Sequence, residues 1–195
     1  MPTNKIILGL VGEMAAGKST VTQYLKEHYS AVTFRFSDML RDILDRIYVE
    51  PERHNLQILS TFIRQNYSED IMSKVIAKDV QNSSARVIIT EGIRRPSDIV
   101  YLSQLPGFHI IAINTDERTR YERIVQRREN PDDANKTWEQ FRAEGQQESE
   151  QKIKEIAARA DFMIDNNGTT EELHKQVEKI ITEINLVILA KARIH

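Results

Sequence analysis

The chain has 195 residues and sets 27 basic against 29 acidic side chains, a formal net charge of −2. That balance lacks the basic excess of a nucleic-acid binder, so no polymeric nucleic-acid partner is expected. Hydrophobic residues make up 40% and charged residues 29%, as in ordinary globular proteins, and the length suits one α/β domain over residues 1–195. With no cysteine, disulfides and thiolate metal sites are excluded; the five histidines (His28, His54, His109, His174, His195) show no metal-ligand spacing.

The first apolar run, Ile6–Val11, stops at Gly12. It is too short for a signal peptide or a membrane span, so a cytoplasmic protein without membrane association is expected. A helical pattern over Lys18–His28 follows, then a second run at Val32–Phe36. Helical periodicity continues over Asp38–Ile47 and Leu56–Val80. Further apolar runs at Val87–Thr90, His109–Ile113 and Phe162–Ile164 alternate with helical patterns at Asp116–Arg128, Trp138–Ala158 and Thr170–Ala192. Pro96 should open a further helix, because its missing N–H costs nothing at a first helical position. Runs that are apolar at nearly every position suit parallel strands covered on both faces. The pattern predicts a three-layer α/β fold: a five-stranded parallel sheet flanked by helices. Residues 38–85 read as a helical insertion over the carboxyl edge of the sheet, where ligands of such folds bind. Residues 128–146 are polar and read as a short lid. The apolar stretch Ile184–Ala190 suits either core or a dimer face, so a monomer or a homodimer is expected.

Gly12-Glu13-Met14-Ala15-Ala16-Gly17-Lys18-Ser19 fits G-x-x-x-x-G-K-[ST] directly between a strand and a helix. Glycines let the backbone wrap closely round phosphates, and the helix start, with Thr20 in its first turn, adds partial positive charge. Lys18 is expected to reach the β/γ-phosphates and the Ser19 hydroxyl to ligate Mg²⁺, so ATP and Mg²⁺ are the expected cofactors. The chain has no Asn-Lys-x-Asp and no Asp-x-x-Gly after the third strand, which argues against a regulatory GTPase switch. Asp38, just past the second strand, is the candidate base for a hydroxyl acceptor. Glu91, at the end of the third, is expected to fix a water on Mg²⁺.

Three segments then resemble the adenylate kinase-like nucleoside and nucleotide kinases. Ser37-Asp38-Met39-Leu40-Arg41 is similar to that family's Gly-Asp-Met-Leu-Arg, which implies that Arg41 grips an acceptor phosphate. Glu91-Gly92-Ile93-Arg94-Arg95 is similar to Asp-Gly-Phe-Pro-Arg, which gives Arg95 an acceptor role and puts Arg94 at the proline position, both in the expected acceptor set. Arg123-Ile124-Val125-Gln126-Arg127-Arg128 is similar to Arg-Ile-x-x-Arg-Arg, which implies Arg123 beside the ATP base and Arg127 on phosphates. Ala160–Gly168 looks more like the last strand and loop of dephospho-coenzyme A kinases, which implies Asn167 and Gly168 near the base. The chain lacks that group's Pro-Leu-Leu-Phe-Glu segment. The resemblance implies an ATP-dependent phosphotransferase acting on a small-molecule, nucleotide-like acceptor. A nucleoside or deoxynucleoside monophosphate leads; a hydroxyl acceptor such as dephospho-coenzyme A or a nucleoside is the alternative. Lys18, Asp38 and Arg127 are the expected catalytic residues, with Arg142 and Arg128 as further cations of the lid.

Overall fold

The computed structural model describes residues 4–127, 135–146 and 148–192, with backbone alone at 127, 148, 149, 191 and 192. Five strands form one parallel sheet in the order β2-β3-β1-β4-β5. They are β1 Ile6–Val11, β2 Val32–Arg35, β3 Val87–Glu91, β4 Phe108–Asn114 and β5 Phe162–Asp165. The central strand β1 is buried at all six positions, and Ile7 pairs with Ile88 on one side and Phe108 on the other.

The pleat divides the core in two. Ile6, Leu8 and Leu10 pack with Val21 and Leu25 of α1 (Lys18–Tyr29) and with Leu173, Val177 and Ile181 of α8 (Thr170–Ala192). Ile7 and Val11 face the other way, onto Leu40 of α2 (Asp38–Arg46), Ile63 of α3 (Arg53–Asn66), Ile76 of α4 (Ile71–Asn82) and Ile153 of α7 (Glu148–Ala157). The remaining helices are α5 (Glu117–Arg127) and α6 (Trp138–Gly145). Each fully buried isoleucine or leucine contributes about 1.5–3 kcal/mol, so alternation along β1 fixes the three layers. Gly9 interrupts the second face for a reason. A Cβ there would lie 2.9 Å from Ile93 and 3.0 Å from Phe108, so its absence lets the loop after β3 settle close to the sheet.

Several expected boundaries differ. Helix Leu56–Val80 is two helices, because Arg64 donates to the Glu69 carbonyl and the turn at 67–70 reverses the chain there. Pro96 opens a short 3₁₀ turn, Pro96–Ile99, since the Asp98 carboxylate draws the turn back onto the amides of Arg94 and Arg95. Trp138–Ala158 is broken after Gly145 into α6 and α7. In the C-terminal stretch, Ile184 is buried and Ile188 packs on the core, whereas Leu186, Val187 and Leu189 face solvent.

Candidate functional site

Between β1 and α1 the chain turns through residues 12–17, and its surroundings leave no room for a side chain at 12 or 17. A Cβ on Gly12 would lie 2.7 Å from the Ile113 carbonyl oxygen. Gly17 has φ 104°, with the Asn166 side chain against the place a Cβ would take. The loop is held from behind by β4, α5 and the loop after β5. Thr115 Oγ1 and Asn166 Nδ2 both donate to the Ala16 carbonyl, at 2.9 and 2.8 Å. Arg120 donates to the Met14 carbonyl at 3.4 Å and to the Thr115 carbonyl at 3.1 Å, and pairs with Glu13 at 3.1 Å. Lys18 Nζ donates to the carbonyls of Gly12 (2.5 Å) and Glu13 (2.9 Å). Side chains thus occupy the carbonyls of four loop residues. The N–H groups at the start of α1 are left as an anion-binding surface.

Burial pushes Lys18 from its ordinary 10.5 down to about 8. The positive charges of Arg94 and Arg120 act in the same direction; the carboxylates of Glu150 and Glu91 oppose it. Four charged groups, from β3, the loop after it, α5 and α7, therefore act on the one ammonium of the phosphate loop. Ser19 is exposed in the first turn of α1, with half-buried Thr20 beside it. Glu91 closes β3: Thr22 Oγ1 donates to one carboxylate oxygen, and Arg35 Nε to the other at 3.0 Å. A carboxylate at this strand end, one helical turn from the Ser19 hydroxyl through Thr22, is a donor set that fits a magnesium ion and its waters.

Beyond β2, Asp38 accepts the Arg35 amide at 2.8 Å. Arg41 is exposed, and its side chain has no partner among the described residues; the same holds for the guanidinium of Arg94. Arg95 is engaged, at 2.8 Å from Glu69. On the other side of the loop, Arg123 donates to the Asn166 carbonyl at 2.9 Å, while its buried Nη1 has no hydrogen-bond partner among the described residues. Asn167 accepts the Asp116 amide at 2.8 Å, and Gly168 precedes the Thr169–Glu172 capping pair of α8. A groove of about 490 Å³ continues along α1 past Thr20 and Gln23 to Thr170 and His174. A second cleft, of about 430 Å³, opens beside Glu13 between Arg120, Arg142 and Lys154.

Arg128 and residues 129–134 of the expected lid lie outside the described residues, as does the Arg127 side chain. Within the rest of the expected lid, 135–146, α6 (Trp138–Gly145) is docked on α5. Phe141 is buried (2% exposed), with Trp138 at 5.7 Å and Tyr121 at 5.7 Å between ring centres. Arg142 pairs with Glu117 at 3.6 Å. The sequence reading noted the segments that hold Thr115 and Asn166 but gave those two residues no role, and it passed over Arg120, Glu150, Asp98 and Arg64. Arg120 carried a usable signal, being three residues before Arg123 and so on the same helical face.

The parallel sheet order, the phosphate loop after β1 and the helical insertion before β3 define a P-loop kinase-like α/β fold. The chain belongs to the AAA_18 family of AAA domains, whose family model matches residues 8–151. It is 24% identical over 182 residues to a UPF0200 protein of Methanothermobacter thermautotrophicus, covering 93% of this chain and 92% of that one. Among solved structures it resembles shikimate kinase from Bacteroides thetaiotaomicron, with TM-score 0.59 and 13% identity over 90% of this chain and 96% of that one. It also resembles dephospho-CoA kinase from Campylobacter jejuni, with TM-score 0.52 and 18% identity over 93% and 98%. These likenesses concern the fold. Among the described residues, no helix is long and apolar enough to cross a membrane.

Proposed function

We propose that the chain is an ATP- and Mg²⁺-dependent small-molecule kinase that phosphorylates a nucleoside or deoxynucleoside monophosphate. The observation that carries this reading is the placing of two unpaired guanidiniums, Arg41 and Arg94, on the acceptor side of a complete phosphate loop. Arg41 awaits an anion on a second substrate, and Arg94, whose charge acts on Lys18, stands between that anion and the donor.

Transfer of a phosphoryl group needs in-line positioning and neutralisation of charge more than covalent help from the protein. Lys18 leaves the Gly12 and Glu13 carbonyls for the β/γ-phosphates. Arg123 holds the donor near the Asn166–Gly168 loop, where its idle Nη1 gains an acceptor. Arg41 aligns the acceptor phosphate, whose oxygen is already a nucleophile and needs no base, and Arg94, whose charge acts on Lys18, faces the phosphate in transfer from the acceptor side. Ser19 and Glu91 would hold Mg²⁺, which when bound supplies charge neutralisation between the β- and γ-phosphates. Arg127 and Arg142 are the lid-side cations of this reading.

A hydroxyl acceptor is favoured by one observation. In α7, Glu150 continues the stripe of Ile153 and Ala157 toward the phosphate loop, and among the described residues its carboxylate has no hydrogen-bond or ion-pair partner although its charge acts on Lys18. A carboxylate there, with Asp38 across the site, is suited to receive a hydroxyl proton. A single panel separates the readings: purified protein, Mg²⁺-ATP, and mononucleotides, nucleosides or dephospho-coenzyme A, with ADP release measured. Stimulation by mononucleotides alone supports the first reading. Stimulation by a nucleoside or dephospho-coenzyme A alone replaces it with the second, and hydrolysis unaffected by every acceptor counts against both.

A further inference from the structure

Two arginines follow one another at the end of β3, and the fold treats them in opposite ways. Ile93, just before them, is buried against the sheet where Gly9 leaves room. Arg95 has extended backbone (φ −136°, ψ 150°), so the side chains on either side of that peptide leave the chain in different directions. Arg95 goes to Glu69, at the junction of α3 and α4. Arg94 is exposed and acts electrostatically on Lys18 across the site.

What holds the pair in that arrangement is a single carboxylate. Asp98 is 2% exposed; its Oδ2 accepts both the Arg94 amide (2.9 Å) and the Arg95 amide (3.0 Å), and its Oδ1 accepts Arg64 Nη2 at 2.7 Å. Arg64 is itself buried, and through Nη1 it also donates to the Glu69 carbonyl. A buried ion pair is a weak device for stability, because the desolvation of both charges offsets much of their attraction. As a geometric device it is strong. Every acceptor site used on Asp98 has a donor fixed by another element: one by α3, two by the loop itself.

We propose that Asp98, oriented by Arg64, is the positioning residue that directs Arg94 at the phosphate being transferred, while Glu69 keeps Arg95 out of the site. This rests on the reading of the site as a phosphotransferase with Arg94 on the acceptor side. Asp98 touches no substrate; it acts by fixing the peptide from which Arg94 projects. A misplacement of about 1 Å at a phosphate-gripping cation lowers transfer by roughly 10²-fold. The insertion and the loop after β3 are also joined at this point, so the C-terminal end of α3 stays with the sheet.

The test uses slow Mg²⁺-ATP hydrolysis, in which water serves as acceptor and no substrate need be known, together with the binding of methylanthraniloyl-ATP. Arg94→Ala is expected to slow hydrolysis at least tenfold. Asp98→Asn should reproduce most of that loss with nucleotide affinity within about threefold of wild type, as expected for a residue remote from the donor phosphates. The double variant should be no slower than Arg94→Ala, because residues that act through one another are not additive. Should Asp98→Asn fail to fold, Arg64→Gln carries the same comparison, since it frees Oδ1 and leaves both amide bonds in place. Hydrolysis at the wild-type rate in the Asp98 or Arg64 variant, or losses that multiply in the double variant, would overturn the positioning role. A full rate in Arg94→Ala would instead remove Arg94 from the site, and with it the group to be positioned.

Discussion

Arg120 and Glu13 form a 3.1 Å ion pair that ties the first turns of α5 to the second residue of the phosphate loop. The same guanidinium reaches the carbonyls of Met14 and Thr115, so one side chain spans the loop and the end of β4. Arg120→Ala would leave Glu13 with Lys154 alone, at 3.5 Å. The loss should cost about 3 kcal/mol in urea denaturation, as for other broken buried pairs. Methylanthraniloyl-ATP binding should weaken with it. Arg120→Lys is expected to recover little, because an ammonium cannot donate to three separated acceptors as a planar fork does. Full nucleotide affinity in Arg120→Ala would mean that the loop keeps its shape unaided.

Lys18 is expected to dominate catalysis. Lys18→Ala should reduce phosphoryl transfer by on the order of 10²–10³, the scale of a preorganised charge contact in a site that excludes water. A variant retaining more than about a tenth of the wild-type rate would contradict that role.

The lowered pKa of Lys18 predicts a pH effect with a definite sign. Burial holds it at about 8 against 10.5 unfolded, so between those values the unfolded chain binds a proton that the folded chain has released. The cost of keeping this ammonium charged is full below pH 8 and is relieved as pH rises through that window. A bound phosphate restores the positive form. Nucleotide binding should therefore take up a fraction of a proton near pH 8.5 and almost none at 6.5. Calorimetry in two buffers of different ionisation enthalpy measures this, and Lys18→Arg should abolish the uptake.

If Arg41 grips an acceptor phosphate, Arg41→Ala should raise the acceptor KM by tenfold or more while the ATP KM stays nearly constant, the pattern of lost binding to one substrate. The reverse pattern would move Arg41 to the donor side. If Asp38→Asn is the more damaging change and Arg41→Ala is mild, a hydroxyl acceptor is the better reading.

Trp138 stands in an aromatic cluster that joins α6 to the helix bearing Arg120 and Arg123. Binding of a non-hydrolysable ATP analogue with Mg²⁺ should change its emission and slow amide exchange across residues 135–146, if this segment covers the site. With emission and exchange unchanged at saturation, α6 is a static surface helix, and Arg142 then has no part in transfer.

The strands were legible almost to the residue, because a buried parallel strand is written as an uninterrupted apolar run, as in Ile6–Val11 and residues 110–113 of β4. The phosphate loop was legible because its parts are consecutive: a left-handed backbone favours glycine at 17, the neighbouring strand leaves no room for a Cβ at 12, and the lysine opens the helix. The break after Asn66 was not, since the helical period of α3 and α4 runs across it and the interruption is made by Arg64 capturing the Glu69 carbonyl. The arginine segments were found, but their partners were not. Arg95 reads like Arg94 until Glu69 is placed beside one of them.

From the sequence alone came the layers, the loop and the expectation of a phosphate-handling site, since each depends on neighbours a few residues apart. Tertiary structure decided which charged groups stand together. Asn166 meets Ala16 across 150 positions, Arg120 meets Met14 across 106, and Asp98 meets Arg64 across 34. No local pattern encodes such pairs. Each arises because parallel strands bring their carboxyl ends to one edge of the sheet, where the loops that follow them must satisfy one another's polar groups.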